Sequence, residues 1–151
     1  QFLDAKDKDV IQQIKKENLY KRDPVTFQTT VVTRSDYFGL FNRSRHTANF
    51  KILYDNEKTG WNTYIRLVYR GKFGYGDVNG DNIADDDAEM VKGFLMANAA
   101  IAKSITGHFQ LQAGVENVFG YTNAQKVPNI AGRLFFLNIN YSFGKFFKNN
   151  K

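Results

Sequence analysis

The sequence contains no cysteine, only two prolines and one tryptophan among its 151 residues. Without cysteine the chain has no disulfide framework and no thiol chemistry, although this excludes no cellular compartment. It also lacks any run of about 18 apolar residues, the length that a transmembrane helix needs. Its mean hydropathy of −0.47 is polar. A membrane-spanning helix is therefore excluded, whereas a membrane β-barrel, in which apolar and polar residues alternate, is not.

Enzyme motifs are missing as well. No Gly-x-Ser-x-Gly sequence marks a nucleophilic serine, and Gly71, Gly74 and Gly76 lack the strand-to-helix context of a phosphate-binding loop. The two histidines, His46 and His108, have no cysteine, second histidine or carboxylate at ligand spacing. We therefore expect no enzymatic activity.

The net charge of +6 does not indicate a nucleic-acid partner. A basic protein attracts nucleic acid or anionic lipid most strongly where its cations form one patch. Here the cations are spread over many segments, chiefly predicted strand ends, turns and the tail. We expect no nucleic-acid binding.

The clearest pattern lies near the end of the chain, in residues 133–143. Since successive side chains of a strand point to opposite faces, alternation of apolar and polar residues predicts a strand with two unlike faces. A length of about 9–11 residues suits a strand of a transmembrane barrel. The apolar face would carry Phe135, Leu137, Ile139, Tyr141 and Phe143, and the polar face Asn138, Asn140 and Ser142.

The same alternation predicts four earlier strands, at residues 48–55, 61–73, 95–105 and 109–117. The third of these is rich in alanine in its middle, so a helix is an alternative there. A further stub of strand is predicted at residues 1–3.

The connections between the predicted strands alternate in length. Residues 56–60 and 106–108 are short and rich in turn residues, as hairpins require. Residues 75–92 and 120–131 are longer. Short turns at one end and long loops at the other are typical of outer-membrane barrels, whose short turns face the periplasm. We therefore expect residues 4–43 to form a long extracellular loop, residues 44–143 the strands, and residues 144–151 a C-terminal tail.

The long extracellular loop is predicted to contain structure of its own. Asp4 is a suitable N-cap, and Val10, Ile11 and Ile14 form an apolar stripe that predicts a helix within residues 5–16. Residues 26–32 are predicted to form one arm of a short hairpin.

Charged side chains fall on the polar faces of the predicted strands. A cation facing lipid near the bilayer midplane costs about 2–4 kcal/mol, so these residues are expected to face a water-filled interior. They could guide anionic substrates, or pair with carboxylates elsewhere in a larger protein, and the second reading is favoured. The channel-facing set is Lys51, Arg66, Arg70, Lys72 and Glu116.

The acidic segment at residues 77–89 resembles the start of a calcium-binding loop. Oxygen-bearing side chains occupy its first, third, fifth and ninth positions, as in an EF-hand loop, and Asn82 stands where glycine makes the sharp turn. The twelfth position is alanine, so Asp87 or Glu89 would have to supply the missing ligand. A solvated turn without metal is the alternative. The predicted Ca²⁺ ligands are Asp77, Asn79, Asp81 and Asp85.

About five strands are too few for a closed barrel, which needs roughly 8 or more. An open edge in lipid would leave backbone groups unpaired at several kcal/mol each. Either a longer polypeptide or further copies must complete the sheet, unless more strands are hidden in the long loop.

Several segments resemble the C-terminal end of TonB-dependent outer-membrane receptors of the Bacteroidetes type. Most specific is the ending: an Asn-Val-Phe loop start, a Pro-x-x-x-Gly-Arg approach and a last strand that closes on phenylalanine. The resemblance spans nearly the whole chain, although a tail follows the terminal Phe143. The matching segments are residues 36–50, 66–71, 112–122 and 127–143.

This resemblance implies an all-β fold, an antiparallel transmembrane barrel of about 22 strands, of which residues 1–151 would be the C-terminal part. It implies import of a scarce large nutrient of the iron-siderophore, haem or cobalamin class. The implied partners are the remaining barrel and plug, the TonB–ExbB–ExbD complex, outer-membrane lipid of a Gram-negative bacterium, and a surface lipoprotein. Two rival readings are a small autonomous barrel or adhesin and a secreted calcium-dependent β-sandwich.

Overall fold

The computed structural model describes residues 1–23 and 26–143, so the predicted tail of residues 144–151 lies outside the described residues. The fold is mostly β, with antiparallel sheets. The described residues form one α-helix, α1 (Lys8–Lys15), one 3-10 turn (Asp87–Glu89) and nine strands. The strands are β1 (Tyr20–Arg22), β2 (Thr29–Val31), β3 (Thr47–Asn56), β4 (Trp61–Arg70), β5 (Phe73–Gly74), β6 (Met90–Val91), β7 (Phe94–Thr106), β8 (Phe109–Glu116) and β9 (Leu134–Tyr141).

Five of these strands form the main sheet, in the order β3-β4-β7-β8-β9. All five predicted strands are confirmed, and four of them end within two residues of their expected bounds. The alanine-rich segment is a strand, so the helical alternative is wrong. The stub at the start of the chain is a single antiparallel bridge between Phe2 and His46.

Strand β4 ends at Arg70, whereas the alternation predicted a strand that continues to Phe73. The next residue, Gly71, lies outside the strand, and its backbone N–H donates to the His46 carbonyl at 2.8 Å. The Ser44 hydroxyl donates to the Gly71 carbonyl at 2.7 Å. Phe73 then pairs with Val91 and is 1% exposed, so it serves the small β5–β6 sheet rather than the main one.

The register of β7, β8 and β9 aligns residues of the three strands on two opposite faces, and between β8 and β9 it pairs apolar with apolar and amide with amide side chains. Leu111 lies between Lys103 and Ile139 on one face, and Gln112 lies between Ala102 and Asn138 on the other. Side-chain amides bridge the polar face, with Asn138 donating to Gln112 at 3.3 Å and Asn140 donating to Gln110 at 3.4 Å. The predicted two-faced pattern of the last strand is therefore confirmed from Phe135 to Tyr141.

The chain divides into two compact units. One comprises residues 1–48, 69–94 and 124–127, and the other comprises residues 49–68 and 95–123 with the described residues from 128 onward. The second unit holds most of the main sheet. Of the helices in residues 1–23 and 26–143, none combines the length and apolarity of a transmembrane span.

The first unit has a small core around helix α1. Ile14 packs with Val32, Tyr37 and Ile83, and the predicted stripe residues Val10 and Ile11 lie against this cluster. The hairpin expected near residues 26–32 is present as the β1–β2 pair. Burial of the apolar stripe is what holds the short helix, since eight isolated residues are too few for stability in water.

The helix begins later than predicted, and its cap is Asp7 rather than Asp4. The Asp7 carboxylate accepts a hydrogen bond from the Asp9 N–H at 2.7 Å. Asp4 instead approaches two cations, Lys6 at 3.7 Å and Arg45 at 3.6 Å. The cap prediction failed because two aspartates three residues apart both suit the N-cap position, and tertiary ion pairs decide between them.

The Phe136 ring packs over Gly114 on the polar face, and this contact predicts a loss of stability for Gly114→Ala. A methyl group there would overlap the Phe136 ring and lie 2.8 Å from the Ala100 Cβ atom. We expect Gly114→Ala to lower the free energy of unfolding by about 1–3 kcal/mol, measured by Trp61 fluorescence in detergent. Gly107→Ala, which meets no atom within 4 Å, is the control and should change little. Equal stability of the two variants would contradict the packing.

Candidate functional site

The acidic segment forms a closed loop between two paired strands of the first unit. Strand β5 precedes it and strand β6 follows it, with Gly74 opposite Met90. The Tyr75 N–H donates to the Glu89 carbonyl at 2.9 Å, which draws the two ends together. Because both ends are fixed by backbone hydrogen bonds, the loop side chains are held on a defined frame.

The first half of the loop is a tight turn organised by Asp77. Its carboxylate accepts from the Gly80 N–H at 2.7 Å and from the Asn82 N–H at 3.0 Å. Gly80 and Asn82 both adopt positive φ angles, +84° and +63°. The sharp turn expected at Asn82 is confirmed, and asparagine tolerates this left-handed conformation better than most residues.

Glu89 organises the second half of the loop from its centre. Its side chain is fully buried, and its two oxygens accept four backbone N–H groups. One oxygen accepts from Val78 at 2.9 Å and Asn79 at 3.3 Å. The other accepts from Asp85 at 3.2 Å and Asp86 at 3.4 Å. Such charge-assisted hydrogen bonds fix a buried carboxylate.

Three carboxylates converge in this loop. Oxygen atoms of Asp77, Asp81 and Glu89 all lie within 4.8 Å of one another. Two of the predicted ligands, Asp77 and Asp81, belong to this group. The side chain of Asn79 is instead bonded to Asp81, donating from Nδ2 at 3.1 Å.

Glu89 rather than Asp87 therefore joins the cluster. The Asp87 side chain is 94% exposed and forms an ion pair with Lys72 at 3.1 Å. This neighbour lowers the pKa of Asp87. The sequence left both residues open, and the signal that separates them is the capping box, in which Asp86 and Glu89 cap the 3-10 turn reciprocally.

Asp85 lies buried beside the cluster with an incomplete set of partners. Its side chain is 6% exposed, and its Oδ2 atom is 3.9 Å from the Lys21 ammonium. Its Oδ1 atom has no hydrogen-bond partner among the described residues. Burial, followed by the nearby charges of Asp81 and Glu89, raises the pKa of Asp85 to about 6. Burial also raises the pKa of Asp81.

Lys21 is committed chiefly to another carboxylate. Its ammonium is 2.9 Å from Asp36 Oδ1. Hydrogen bonds from Thr33 and Lys21 lower the pKa of Asp36 to about 2. Lys21 is not identifiable from the sequence as a neighbour of the loop, because its contact with Asp85 joins residues 64 positions apart.

The predicted channel-facing residues fall in different parts of the chain. In the second unit, Lys51 lies 5.2 Å from the Tyr64 ring and Arg66 Nε donates to Asn49 at 3.0 Å. In the first unit, Arg70 lies 3.6 Å from the Phe73 ring. Lys72 lies beyond the end of β4, so it does not share a strand face with Arg66 as the alternation predicted.

Glu116, the last predicted channel-facing residue, ends strand β8 opposite Leu134. It lines an open cavity of about 460 Å³ in the second unit, together with Tyr64, Gln112 and Asn138. The orientation of this face toward a channel stays a prediction.

Comparisons with known proteins give one structural likeness. The chain matches no model of a known protein family, and it matches no curated protein sequence. Among solved structures it is similar to a mutant of the ferric enterobactin receptor of Pseudomonas aeruginosa, with 22% identity and a TM-score of 0.49. The similarity covers 66% of this chain and 16% of that receptor.

The raised pKa of Asp85 predicts that the metal-free loop opens more readily at neutral than at acidic pH. An acid with a higher pKa in the folded than in the unfolded state makes the fold less stable as pH rises from the unfolded value, 3.8, to the folded value, about 6. With a chelator present, hydrogen exchange at the Val78, Asn79 and Asp86 amides should show protection factors lower by about 10- to 100-fold at pH 7 than at pH 4.

Two variants check the origin of this pH dependence. Asp85→Asn should remove most of it, because the amide carries no charge to desolvate. Asp87→Asn should leave it unchanged, since the Asp87 pKa lies below this window. Protection that rises with pH in the unmodified chain would contradict the assignment.

Proposed function

We propose that strands β3, β4 and β7–β9 form part of the wall of an outer-membrane β-barrel in a TonB-dependent receptor. The observation that carries this proposal is the exposed apolar face of strand β9. Phe135, Leu137 and Ile139 are 78%, 64% and 63% exposed. No described residue of the chain covers them.

The neighbouring strands extend this apolar face. In register with β9 lie Val115, Ala113 and Leu111 on β8, and then Ala99, Ile101 and Lys103 on β7. A soluble monomer rarely leaves a contiguous apolar patch of more than a few hundred Å² in water. Each Å² of apolar surface left in water costs about 25 cal/mol, and lipid chains remove that cost.

The turn end of the sheet carries groups suited to a membrane interface. The Lys103 ammonium lies 4.8 Å from the Trp61 ring and donates to the Thr59 carbonyl. Lysine on a lipid-facing surface near a turn can extend its charge to the headgroups, and tryptophan is enriched at that level. At the β8–β9 end, the Tyr141 ring is tilted against the His108 ring at 6.5 Å and meets the Phe143 ring edge to face at 5.0 Å.

The opposite face suits water or protein contacts. Amide side chains form the cross-strand pairs Gln110–Asn140 and Gln112–Asn138. Such groups are costly in hydrocarbon but well placed in a polar lumen. The two faces together give a strand surface with lipid on one side and an aqueous interior on the other.

The receptor assignment rests on the sequence resemblance of residues 112–122 and 127–143, together with this two-faced sheet. Among residues 1–23 and 26–143, no strand pairs with the outer edges of β3 and β9, and lipid would not tolerate unpaired backbone groups there. Further strands and a plug would complete the barrel. The transported ligand would belong to the siderophore, haem or cobalamin class, with TonB–ExbB–ExbD supplying energy.

Paired cysteine variants test which face meets lipid, since the chain has no cysteine of its own. In intact membranes of cells that make the whole polypeptide, Leu137→Cys should react at least about tenfold more slowly with a charged maleimide than Asn138→Cys, because thiolates do not form in hydrocarbon. A lipid-soluble maleimide should label Leu137→Cys. Equally fast reaction of both variants with the charged reagent would overturn the membrane assignment.

The mass of the membrane polypeptide separates the receptor from its rivals. We expect an intact outer-membrane polypeptide several times longer than this chain, with a plug upstream. A native particle of the mass of this chain would instead favour a small barrel or adhesin. A species that remains monodisperse without detergent would favour the soluble sandwich.

A further inference from the structure

We propose that the acidic loop binds one calcium ion through the carboxylates of Asp77, Asp81 and Glu89, with Asp85 as a fourth oxygen ligand. This site goes beyond the barrel function and does not depend on it. Its ligands differ from those that the sequence predicted, because they include Glu89 and do not include Asn79.

The convergence of three carboxylates is the first observation. Their oxygens lie within 4.8 Å of one another, and one of them, Glu89, is fully buried. Like charges this close repel each other, and a bound cation reverses that repulsion. The donor set contains only oxygen, which suits a hard ion such as Ca²⁺ rather than a metal that prefers nitrogen or sulfur.

The unpartnered Oδ1 atom of Asp85 is the second, independent observation. The side chain is more than nine-tenths buried, and this oxygen accepts no hydrogen bond from the described residues. The Asp85 backbone N–H donates to Glu89 Oε2 at 3.2 Å, so the residue lies beside the cluster. A buried carboxylate oxygen without a partner is costly, so the site lacks one positive group.

Lys21 does not supply that group. Its ammonium is 3.9 Å from Asp85 Oδ2, too far for a hydrogen bond, and it is 2.9 Å from Asp36. The lysine therefore lies near one oxygen of Asp85, and the other oxygen, Oδ1, has no hydrogen-bond partner among the described residues. A cation at the cluster satisfies this oxygen directly.

The 3-10 turn explains how the loop manages without an acid at its twelfth position. In an EF-hand loop that position holds a glutamate that closes the site. Here the turn Asp87–Glu89, capped by Asp86, brings the thirteenth residue back toward Asp77. Glu89, at the thirteenth position, thus takes the role that a glutamate at the twelfth position has in an EF-hand loop.

Isothermal titration of the full chain in detergent with CaCl₂ tests the site. We expect one ion per chain with a Kd below about 1 mM, the range of extracellular calcium modules. Asp81→Asn should weaken binding at least tenfold, because the amide keeps the hydrogen bond to the Ile83 N–H but loses the charge. Asp85→Asn should weaken it severalfold. MgCl₂ should bind at least tenfold more weakly than CaCl₂.

Asp87→Asn is the matched control within the same loop. It removes the same charge from an exposed side chain outside the cluster, so affinity should change less than twofold. The proposal would be overturned if the titration showed no saturable heat of binding at CaCl₂ concentrations up to five times about 1 mM. Equal weakening by Asp81→Asn and Asp87→Asn would also overturn it, since diffuse attraction to an acidic loop would then suffice. Unchanged near-ultraviolet circular dichroism in chelator shows that each variant keeps its fold.

Discussion

The alternation of side chains between the two faces of a β-strand is the constraint on which the structure of the main sheet depends. Because neighbouring strands are in register, the alternation within β9 is repeated across β8 and β7, and single side chains add up to two continuous faces. A shift of one residue between β8 and β9 would place Leu137 opposite Gln112 and Ile139 opposite Gln110, and would destroy both faces at once. The register therefore determines which side chains share a face, and the separation of apolar from polar side chains in turn favours this register over others. Backbone hydrogen bonds alone would not select it.

The acidic loop of the first unit is held by hydrogen bonds to buried polar groups rather than by the alternation of side chains along strands. Glu89 holds the acidic loop through four backbone donors, and Ile83 inserts from the same loop into the core beside Ile14. Lys126 joins a distant segment to it, donating to the Met90 carbonyl at 2.8 Å. The loop is thus a small folded structure. A cation bound there would act on a frame that other contacts already define.

The sequence predicted those parts of the fold in which the polarity of each residue shows which face of a strand it occupies. The strands at residues 109–117 and 133–143 were identifiable because every second side chain is apolar. The end of β4 was not, since apolar and charged residues continue to alternate through Phe73. In the structure the strand ends at Arg70, and Gly71 is hydrogen-bonded to Ser44 and His46 instead. In the candidate site, Asp77 and Asp81 followed from spacing. Glu89 was not chosen over Asp87, although the Asp86-x-x-Glu89 spacing of a capping box favours it. The spacing alone does not show that four backbone N–H groups surround the Glu89 carboxylate.

Lys103 distinguishes between the two environments that could cover the apolar face. It lies in register with Leu111, on the same face as Ile139. A second protein sheet stacked on this face would bury its ammonium, and none of the ion pairs in the described residues involves Lys103. An unpaired buried charge costs several kcal/mol. Lys103 lies over the Trp61 ring, and at a membrane interface its ammonium would reach the headgroup level and stay solvated. One lysine on an otherwise apolar face is therefore an argument for lipid rather than for a sandwich core.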